Sequence, residues 1–297
     1  MTFDLGTYLA ERRKLIDEAL GEALPSTAIQ PTRLNEAIRY SVFCGGKRLR
    51  PILSLATADA LGQNPLDILP LACAIECIHT FSLIHDDLPA IDNDDLRRGN
   101  PTNHVVYGEA MAILAGDALL AVAFELIGNC RRAYPDARVL DAIMMVAAAS
   151  GTLGMVGGQV ADIEAEGATD VDEPTVASIH ARKTGALLMT SILAAARICG
   201  ANTQQETSLQ RFGEEVGLAF QITDDILDLE GDAEKIGKRI GSDLKQDKAT
   251  YPKVLGISAS RDLAIRSADA AVAALAAFDE RADPLRAIAH YVVEREG

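Results

Sequence analysis

Basic residues are scarce in this chain of 297 residues, where 28 Lys and Arg stand against 43 Asp and Glu and leave a formal net charge of −15. A surplus of negative charge on this scale repels the phosphate backbone of nucleic acids and anionic lipid headgroups. We therefore expect neither a nucleic-acid partner nor adsorption to anionic lipid. The first six residues also lack the basic and apolar stretches of a signal peptide, which predicts a protein without a secretory leader.

The five cysteines form no C-x-x-C pair and leave an odd count. This pattern argues against a disulfide framework and predicts buried thiols in a reducing compartment, so we expect a cytoplasmic protein. The most membrane-like stretch, residues 110–128, contains Asp117 and Glu125. Charged side chains within such a stretch favour a buried helix of a soluble bundle over membrane insertion.

Linkers and strand signals are also missing. No Pro/Gly/Ser-rich segment divides the chain, which predicts a single domain over residues 1–297. Period-two alternation is absent, whereas Ala, Leu, Ile and Glu dominate almost every segment and favour helix. The predicted fold is all-α, a single large helical bundle around a central cavity, with no strand required. Helices are predicted at about residues 3–21, 31–44, 48–62, 67–87, 103–129, 136–152, 154–165, 173–199, 205–230, 251–278 and 283–295.

Two acidic clusters are present within apolar, helix-forming surroundings. Carboxylates this close together repel one another and lose hydration, so a cation is expected between them. Because no His or Cys cage accompanies them, the oxygen-only ligand set favours Mg²⁺, which binds a few carboxylates together with water and phosphate oxygens. The substrate is therefore expected to be a diphosphate. The first cluster contains Asp86, Asp87 and Asp92, and the second contains Asp224, Asp225 and Asp228.

The spacing within each cluster predicts how the carboxylates are presented. Asp224 and Asp228 are four residues apart, which places them on one face of a helix. Asp86 and Asp92 are six apart and would point in different directions from an unbroken helix. Because Pro89 lacks a backbone N–H, we expect a bulge there that returns Asp92 to the face of Asp86. A single Asp pair would be better explained as a solvated helix end, but two clusters followed by an Arg pair favour a metal site.

Further motifs follow one another in chain order between residues 45 and 252. With the acidic clusters, they make the sequence resemble the trans-isoprenyl diphosphate synthases, and within that family most of all the bacterial farnesyl diphosphate synthases. One such motif is an easy chance match, whereas the whole series is not. The matching segments are residues 45–51 (GGKRLRP), 76–87 (ECIHTFSLIHDD), 95–99 (DLRRG), 114–117 (LAGD), 157–159 (GGQ), 183–186 (KTGA), 220–221 (FQ), 224–228 (DDILD), 237–238 (GK) and 248–252 (KATYP).

The resemblance implies an enzyme that condenses isopentenyl diphosphate with dimethylallyl or geranyl diphosphate, giving farnesyl diphosphate and pyrophosphate. It implies a Mg²⁺ cofactor, with three ions per active site. Asp86, Asp92 and Asp224 are implied as direct ligands, with Asp87, Asp225 and Asp228 holding metal-bound waters or supporting the site. The residues implied to contact the allylic diphosphate or the carbocation are Arg97, Lys183, Thr184, Gln221 and Lys238.

The second substrate is implied to bind without a metal, in a purely basic pocket. A run such as residues 47–50 would otherwise be read as a solvated helix start, but here it follows two glycines that allow a phosphate to approach the backbone. The residues implied for this pocket are Gly46, Lys47, Arg50, His79 and Arg98, and Lys248 is implied as a further substrate-binding residue. His85 is expected to have a structural role, because Mg²⁺ disfavours imidazole.

The length of the product is predicted from the residues that precede the first acidic cluster. Phe81 and Ser82 lie five and four residues before Asp86, where a growing hydrocarbon tail would point. An aromatic residue at the position of Phe81 resembles the farnesyl synthases, whereas relatives that make the C20 product usually carry something smaller there. Phe81 as ordinary core is the competing interpretation.

Other functions remain as alternatives. A geranylgeranyl diphosphate synthase would share the same chemistry, a class I terpene cyclase would lack the second Asp cluster and the basic pocket, and an inactive regulatory subunit would have lost part of the site. The resemblance also implies a homodimer, and helices 110–128 and 186–198 are apolar on more than one face, which a large core or a partner subunit would explain. Residues 231–250 are expected to form a lid over the bound phosphates.

Overall fold

The computed structural model describes residues 3–166, 172–230 and 250–295, and within them the chain is almost entirely helical, as predicted. The α-helices are α1 (Leu5–Ala23), α2 (Thr32–Val42), α3 (Leu49–Ala60), α4 (Leu69–Asp86), α5 (Asn103–Tyr107), α6 (Glu109–Asn129), α7 (Asp136–Ser150), α8 (Met155–Ala165), α9 (Glu173–His180), α10 (Ala186–Cys199), α11 (Thr203–Glu230), α12 (Tyr251–Leu255), α13 (Ile257–Ala274) and α14 (Asp283–Glu294). Shorter helical turns are Pro65–Ile68, Cys130–Arg132 and Glu280–Ala282, which are 3₁₀, and Ala181–Gly185, which is a π-helix.

Every predicted helical segment is found, and three of the longer ones are interrupted. The segments predicted at 103–129 and 251–278 divide at Gly108 (φ 88°) and Gly256 (φ 80°). A positive φ breaks the run of helical hydrogen bonds, and glycine adopts it without steric cost. The segment predicted at 173–199 is interrupted by the π-helical turn between α9 and α10. Turns of this kind are frequent at functional sites.

The expectation that no strand is needed is wrong at one place. Two short strands, β1 (Leu96–Arg97) and β2 (Asn100–Pro101), form an antiparallel hairpin. Its loop residues Arg98 and Gly99 have φ values of 53° and 77°. Two successive positive φ values define a type I′ turn, whose twist matches that of paired strands. Strands of two residues are too short to produce an alternating pattern, so only the glycine after the Arg pair signals this turn.

Helix α10 lies in the centre of the packing, against α3, α7 and α11, while α4 packs along α6. Ten of the fourteen residues of α10 are buried within this one chain, among them Ile192, Ala195 and Ile198. The apolar character of segment 186–198 is therefore explained by the chain's own large core, which is one of the two explanations expected for it.

A different set of helices carries apolar side chains on the outside. Leu114 on α6, Met144 on α7 and Val160 on α8 are 53%, 64% and 50% exposed, and Leu153 between α7 and α8 is 81% exposed. By length and composition alone, three helical stretches of the described chain could cross a membrane, namely residues 65–86, 109–132 and 136–165. The first of these is mostly buried inside the fold, whereas the other two contribute most of the exposed apolar face.

Candidate active site

The first acidic cluster lies at the end of α4. The helix stops at Asp86, and the chain turns back by hydrogen bonds from Leu88 N to His85 O (3.1 Å) and from Asp92 N to Asp86 O (2.9 Å). The helix thus ends before Pro89, close to the predicted end at residue 87, and the bulge expected at Leu88-Pro89 takes the form of a turn. The turn brings the backbones of Asp86 and Asp92 into contact.

Asp86 lies in an environment that disfavours its negative charge. Burial raises the pKa of its carboxyl group above the ordinary value, and the neighbouring Asp92 adds to this effect, while Lys183 and Arg97 act in the opposite direction. A raised pKa means that the positive charges of Lys183 and Arg97 do not fully compensate the buried carboxylate in the described structure. A divalent cation between Asp86 and Asp92 would supply it.

Lys183 faces this cluster from the π-helical turn. Its Nζ atom lies 2.6 Å from Asp162 Oδ2, and burial, which would lower its pKa, is outweighed by the carboxylates of Asp86 and Asp162, so the pKa is raised. Helix α8 approaches this turn so closely that a Cβ on Gly158 would lie 2.2 Å from the backbone nitrogen of Lys183. The glycine thus permits the contact that sets the position of Lys183. Thr184, half-buried, follows in the same turn.

Asp162 was not predicted from the sequence as a site residue. It is buried, and it lies three residues after Gln159 on the same side of α8, so the GGQ motif could have pointed to it. Both polar atoms of the Gln159 amide are buried without a hydrogen-bond partner in the described part of the chain. Asp162 is therefore a polar partner of Lys183 that the sequence alone did not assign.

The hairpin directs its two arginines to different partners. Arg97 forms a bidentate pair with Asp87, with Nε 2.8 Å from both carboxylate oxygens and Nη2 2.5 Å from Oδ1. Arg98 donates through Nη1 to the carbonyl oxygen of Gly45. Gly46 has a φ of 124°, and a Cβ there would lie 2.5 to 2.9 Å from the Arg98 guanidinium. Asp87 thus supports the site by orienting Arg97, and Gly46 by leaving room for Arg98.

The residues predicted for the basic pocket lie near one another. Arg50 on α3 lies 3.5 Å from the ring of His79 on α4, measured from Nη1 to Nε2, and Arg50 Nε is buried without a partner in the described chain. Burial, reinforced by the neighbouring arginines, holds the pKa of His79 well below its usual value, and burial lowers the pKa of Lys47 and Arg98. Lys47 and Arg98 are cationic groups whose charge is disfavoured in this way, and such groups are suited to bind an anion, whereas His79 offers a neutral ring.

The second acidic cluster occupies the last two turns of α11. Asp224 pairs with Arg295, whose guanidinium stacks on Phe220 at 4.3 Å from the ring centroid. Asp225 is buried and accepts hydrogen bonds from Gln221 Nε2 (2.7 Å) and from the backbone nitrogen of Tyr251 (3.0 Å). Asp225 therefore ties α12 to α11, which is a supporting role.

The candidate magnesium ligands lie in two separate clusters. Among residues 3–166, 172–230 and 250–295, no three His, Cys, Asp or Glu lie close enough together to hold one ion. Mg²⁺ commonly binds through one or two carboxylates and takes its other ligands from water and substrate phosphates. Asp86 with Asp92 on one side, and Asp224 on another helix, fit this mode of binding. Asp228 is half-buried one turn after Asp224, whereas Lys238, Lys248 and most of the predicted lid lie outside the described residues.

The residues predicted to limit the product lie just below the first cluster. Phe81 is 8% exposed and packs edge-to-face on His85, with 4.8 Å between the ring centroids. His85 in turn lies against Gly116 of α6, and its Nε2 is 3.1 Å from the carbonyl oxygen of Ile113. These contacts give His85 the structural role predicted for it. Ser82 is half-buried and donates a hydrogen bond to the carbonyl oxygen of His79 (2.8 Å).

The chain is similar to known proteins over most of its length. A family model described as polyprenyl synthetase matches residues 31–277. The chain is 47% identical over 293 residues to a geranylgeranyl diphosphate synthase of Cyanophora paradoxa, covering 99% of this chain and 97% of the relative. It is 51% identical over 257 residues to a farnesyl diphosphate synthase of Geobacillus stearothermophilus, covering 86% of each. The crystal structure of an FPP/GFPP synthase from Zymomonas mobilis superposes with a TM-score of 0.87 at 40% identity, covering 97% and 98% of the two chains.

The chain therefore belongs to the polyprenyl synthetase family. Its all-α fold is that of the isoprenyl synthases, and its activity is that of a trans-prenyltransferase. The relatives include synthases of both C15 and C20 products, so family membership by itself leaves the product length open.

Proposed function

We propose that the protein is a farnesyl diphosphate synthase, which joins isopentenyl diphosphate to dimethylallyl diphosphate and then to geranyl diphosphate. The observation that carries this proposal is the position of Phe81, a large buried ring on α4 one turn and a half before Asp86. A hydrocarbon chain that extends down α4 from the acidic cluster would meet this ring. Similarity to a farnesyl diphosphate synthase over 86% of the chain is compatible with this proposal, as is similarity to a geranylgeranyl synthase with the alternative product.

Ionisation of the allylic C–O bond is the difficult step, because it separates charge. Bound Mg²⁺ would supply positive charge to the departing pyrophosphate. On the protein side, Asp162 holds the ammonium group of Lys183 beside Asp86, and Asp87 holds the guanidinium of Arg97. Two cations fixed in advance stabilise negative charge as it develops and need little reorganisation in the transition state.

The side chains that surround the allylic carbocation should carry no positive charge. Gln221 donates its Nε2 hydrogen to Asp225, which leaves its carbonyl oxygen as the end available to face the cation. The hydroxyl group of Thr184 is suited to the same role. The alkene of isopentenyl diphosphate attacks the cation, and one proton is then lost to restore the double bond. Released pyrophosphate is an adequate base for that proton, so no protein base is required.

Product analysis tests this proposal. Purified protein with Mg²⁺, isopentenyl diphosphate and geranyl diphosphate should release farnesyl diphosphate, identified by mass. A C20 product would support the geranylgeranyl synthase alternative. A product formed from the allylic substrate alone would identify a cyclase, and the absence of any turnover would support the inactive regulatory subunit.

The two diphosphate subsites should separate in steady-state kinetics. Arg50→Ala or His79→Ala removes a polar contact from the basic pocket and should raise the KM for isopentenyl diphosphate about 10-fold or more, since a hydrogen bond to a charged group contributes roughly 1.5–3 kcal/mol. Lys183→Ala should impair chiefly the allylic half. Lys14→Ala, on an exposed face of α1, is the control and should change neither constant. Equal changes in both KM values for the pocket variants would contradict the division.

We further propose that the chain forms a homodimer through the exposed apolar face of α6, α7 and α8, which includes Leu114, Met144 and Val160. Large exposed apolar side chains grouped on neighbouring helices are typical of interfaces between subunits. Sedimentation equilibrium should give a mass of twice 31.6 kDa. A mass of a single chain at micromolar concentration would contradict the dimer.

A further inference from the structure

Arg48 lies between two residues of the basic pocket in sequence but is directed into the core. It is 3% exposed, and all three nitrogens of its guanidinium have partners. Nη1 is 2.7 Å from Glu76 Oε1, Nε is 2.8 Å from Asp17 Oδ1, and Nη2 donates to the carbonyl oxygen of Val42 at 2.6 Å. A buried cation held this completely is a fixed point of the structure.

The backbone conformation of Arg48 explains why the side chains of neighbouring residues take different directions. Arg48 has a φ of 54° and forms the N-cap of α3, a left-handed conformation that is strained for a residue with a side chain. Such a conformation persists only where its surroundings enforce it. The ion pair with Glu76 contributes to this constraint, with Lys47 before the cap and Arg50 after it in α3.

Glu76 also acts electrostatically on other residues of the basic pocket. It lies three residues before His79 on α4 and is 2% exposed. Burial lowers the pKa values of both Arg50 and Arg98, and the charge of Glu76 is the largest influence acting in the opposite direction on each. One carboxylate therefore lies close to three arginines, each of which contributes to the shape or the charge of the pocket.

We propose that Arg48 and Glu76 are positioning residues for the basic pocket: their buried ion pair fixes the loop of residues 45–47 and holds Arg50 and Arg98 in place for a diphosphate that binds without metal. The inference rests on the proposed function, in which this pocket binds isopentenyl diphosphate. Neither residue is required to touch the substrate. The loop also provides the carbonyl oxygen of Gly45 that receives Arg98.

The direction in which Glu76→Gln changes the affinity for a diphosphate separates positioning from simple electrostatics. Glu76→Gln removes a negative charge close to an anion site, so through-space attraction alone would strengthen diphosphate binding. If the ion pair positions the pocket, the same substitution should weaken binding by about 10-fold or more. The measurement is the Kd of inorganic pyrophosphate and of isopentenyl diphosphate without Mg²⁺, by isothermal titration calorimetry, together with KM for each substrate. A fall in Kd or an unchanged Kd would overturn the proposal.

Glu76→Gln leaves the charge of Arg48 buried without its main partner. If that variant does not fold, a second variant tests the proposal. The double variant Arg48→Met, Glu76→Met removes both charges at similar volume, an exchange that proteins often tolerate. It should raise the KM for isopentenyl diphosphate about 10-fold or more and leave the KM of the allylic substrate within about 3-fold. Arg197→Met, Glu206→Met removes an ion pair between α10 and α11 as a control for lost stability.

The outcomes distinguish this inference from the proposed function. Weaker pyrophosphate binding in the Arg48/Glu76 variants, with wild-type affinity in the control, supports positioning whether or not the wild-type protein makes farnesyl diphosphate. Normal pyrophosphate binding in a folded double variant rejects positioning and leaves the condensation intact. If the wild-type protein binds neither ligand, the basic pocket and the role of the ion pair are both wrong.

Discussion

Asp86→Asn is expected to lower kcat by about 100-fold or more, the loss that accompanies removal of one electrostatic stabiliser of a transition state. The substitution preserves the shape of the side chain and removes its charge, so the magnesium ion that activates the departing pyrophosphate would lose a ligand. Asp92→Asn and Asp224→Asn should act in the same way. Steady-state turnover at saturating substrates and Mg²⁺ measures the effect.

The folded state should not suffer from this substitution. The pKa of Asp86 is raised in the folded chain, chiefly by burial, so ionisation of this group costs stability as the pH rises through that pKa. At neutral pH without metal, Asp86→Asn should therefore keep or raise the Tm. Asp224→Asn differs, because it breaks the pair with Arg295 and should not raise the Tm.

Asp95→Asn is the matched control, since Asp95 lies in the same acidic segment but is exposed and is not predicted to bind metal. It should retain close to wild-type turnover. Near-normal activity in Asp86→Asn or Asp224→Asn would contradict the assignment of the metal ligands. A large loss in Asp95→Asn would show that the acidic segment acts through its total charge and that no particular carboxylate is needed.

Phe81→Ala is expected to change the product from C15 to C20. Protein interiors are packed at crystal-like density, so the volume of the ring excludes a further isoprene unit, and its removal makes that volume available. The variant should accept farnesyl diphosphate and release geranylgeranyl diphosphate, with chemistry at the acidic cluster nearly unchanged. Ser82→Phe should act in the opposite direction and shorten the product toward C10. Mass-resolved product distributions at matched turnover measure both effects.

Loss of packing requires its own control, because Phe→Ala substitutions in a core cost about 3–5 kcal/mol. Ile75→Ala lies on the same helix, fully buried and further from the acidic cluster, and should reduce stability without altering the product. If Phe81→Ala folds, remains active and still stops at C15, the floor of the cavity lies elsewhere. The main reason for preferring a farnesyl synthase over a geranylgeranyl synthase would then be lost.

The positions of the helices could be predicted because their causes are local. Residues with strong helix preference run without alternation, and glycine and proline mark most ends, so each segment could be placed from its own composition. The hairpin at Leu96–Pro101 escaped prediction because two-residue strands have no readable period. The π-helical turn before α10 escaped for a related reason, since it depends on the close approach of Gly158 from another helix.

The kind of chemistry could also be predicted, because its signals lie in short segments of the sequence. Paired carboxylates without His or Cys indicate magnesium, and the motifs that resemble the trans-isoprenyl synthases indicate diphosphate substrates. What the sequence could not give was the partner of each charged group. Lys183 with Asp162, Asp224 with Arg295, and Asp225 with the backbone of Tyr251 are separated by 21, 71 and 26 positions.

The run of residues 47–50 shows the division most clearly. Its sequence determined that a cluster of positive charge begins α3 after two glycines, and together with the family resemblance this predicted an anion site at Lys47 and Arg50. Only the tertiary structure decided that Arg48, between them, is buried against Glu76. The physical reason is that a buried charge requires a partner, and the nearest available carboxylate belongs to α4, whose position depends on how the helices pack.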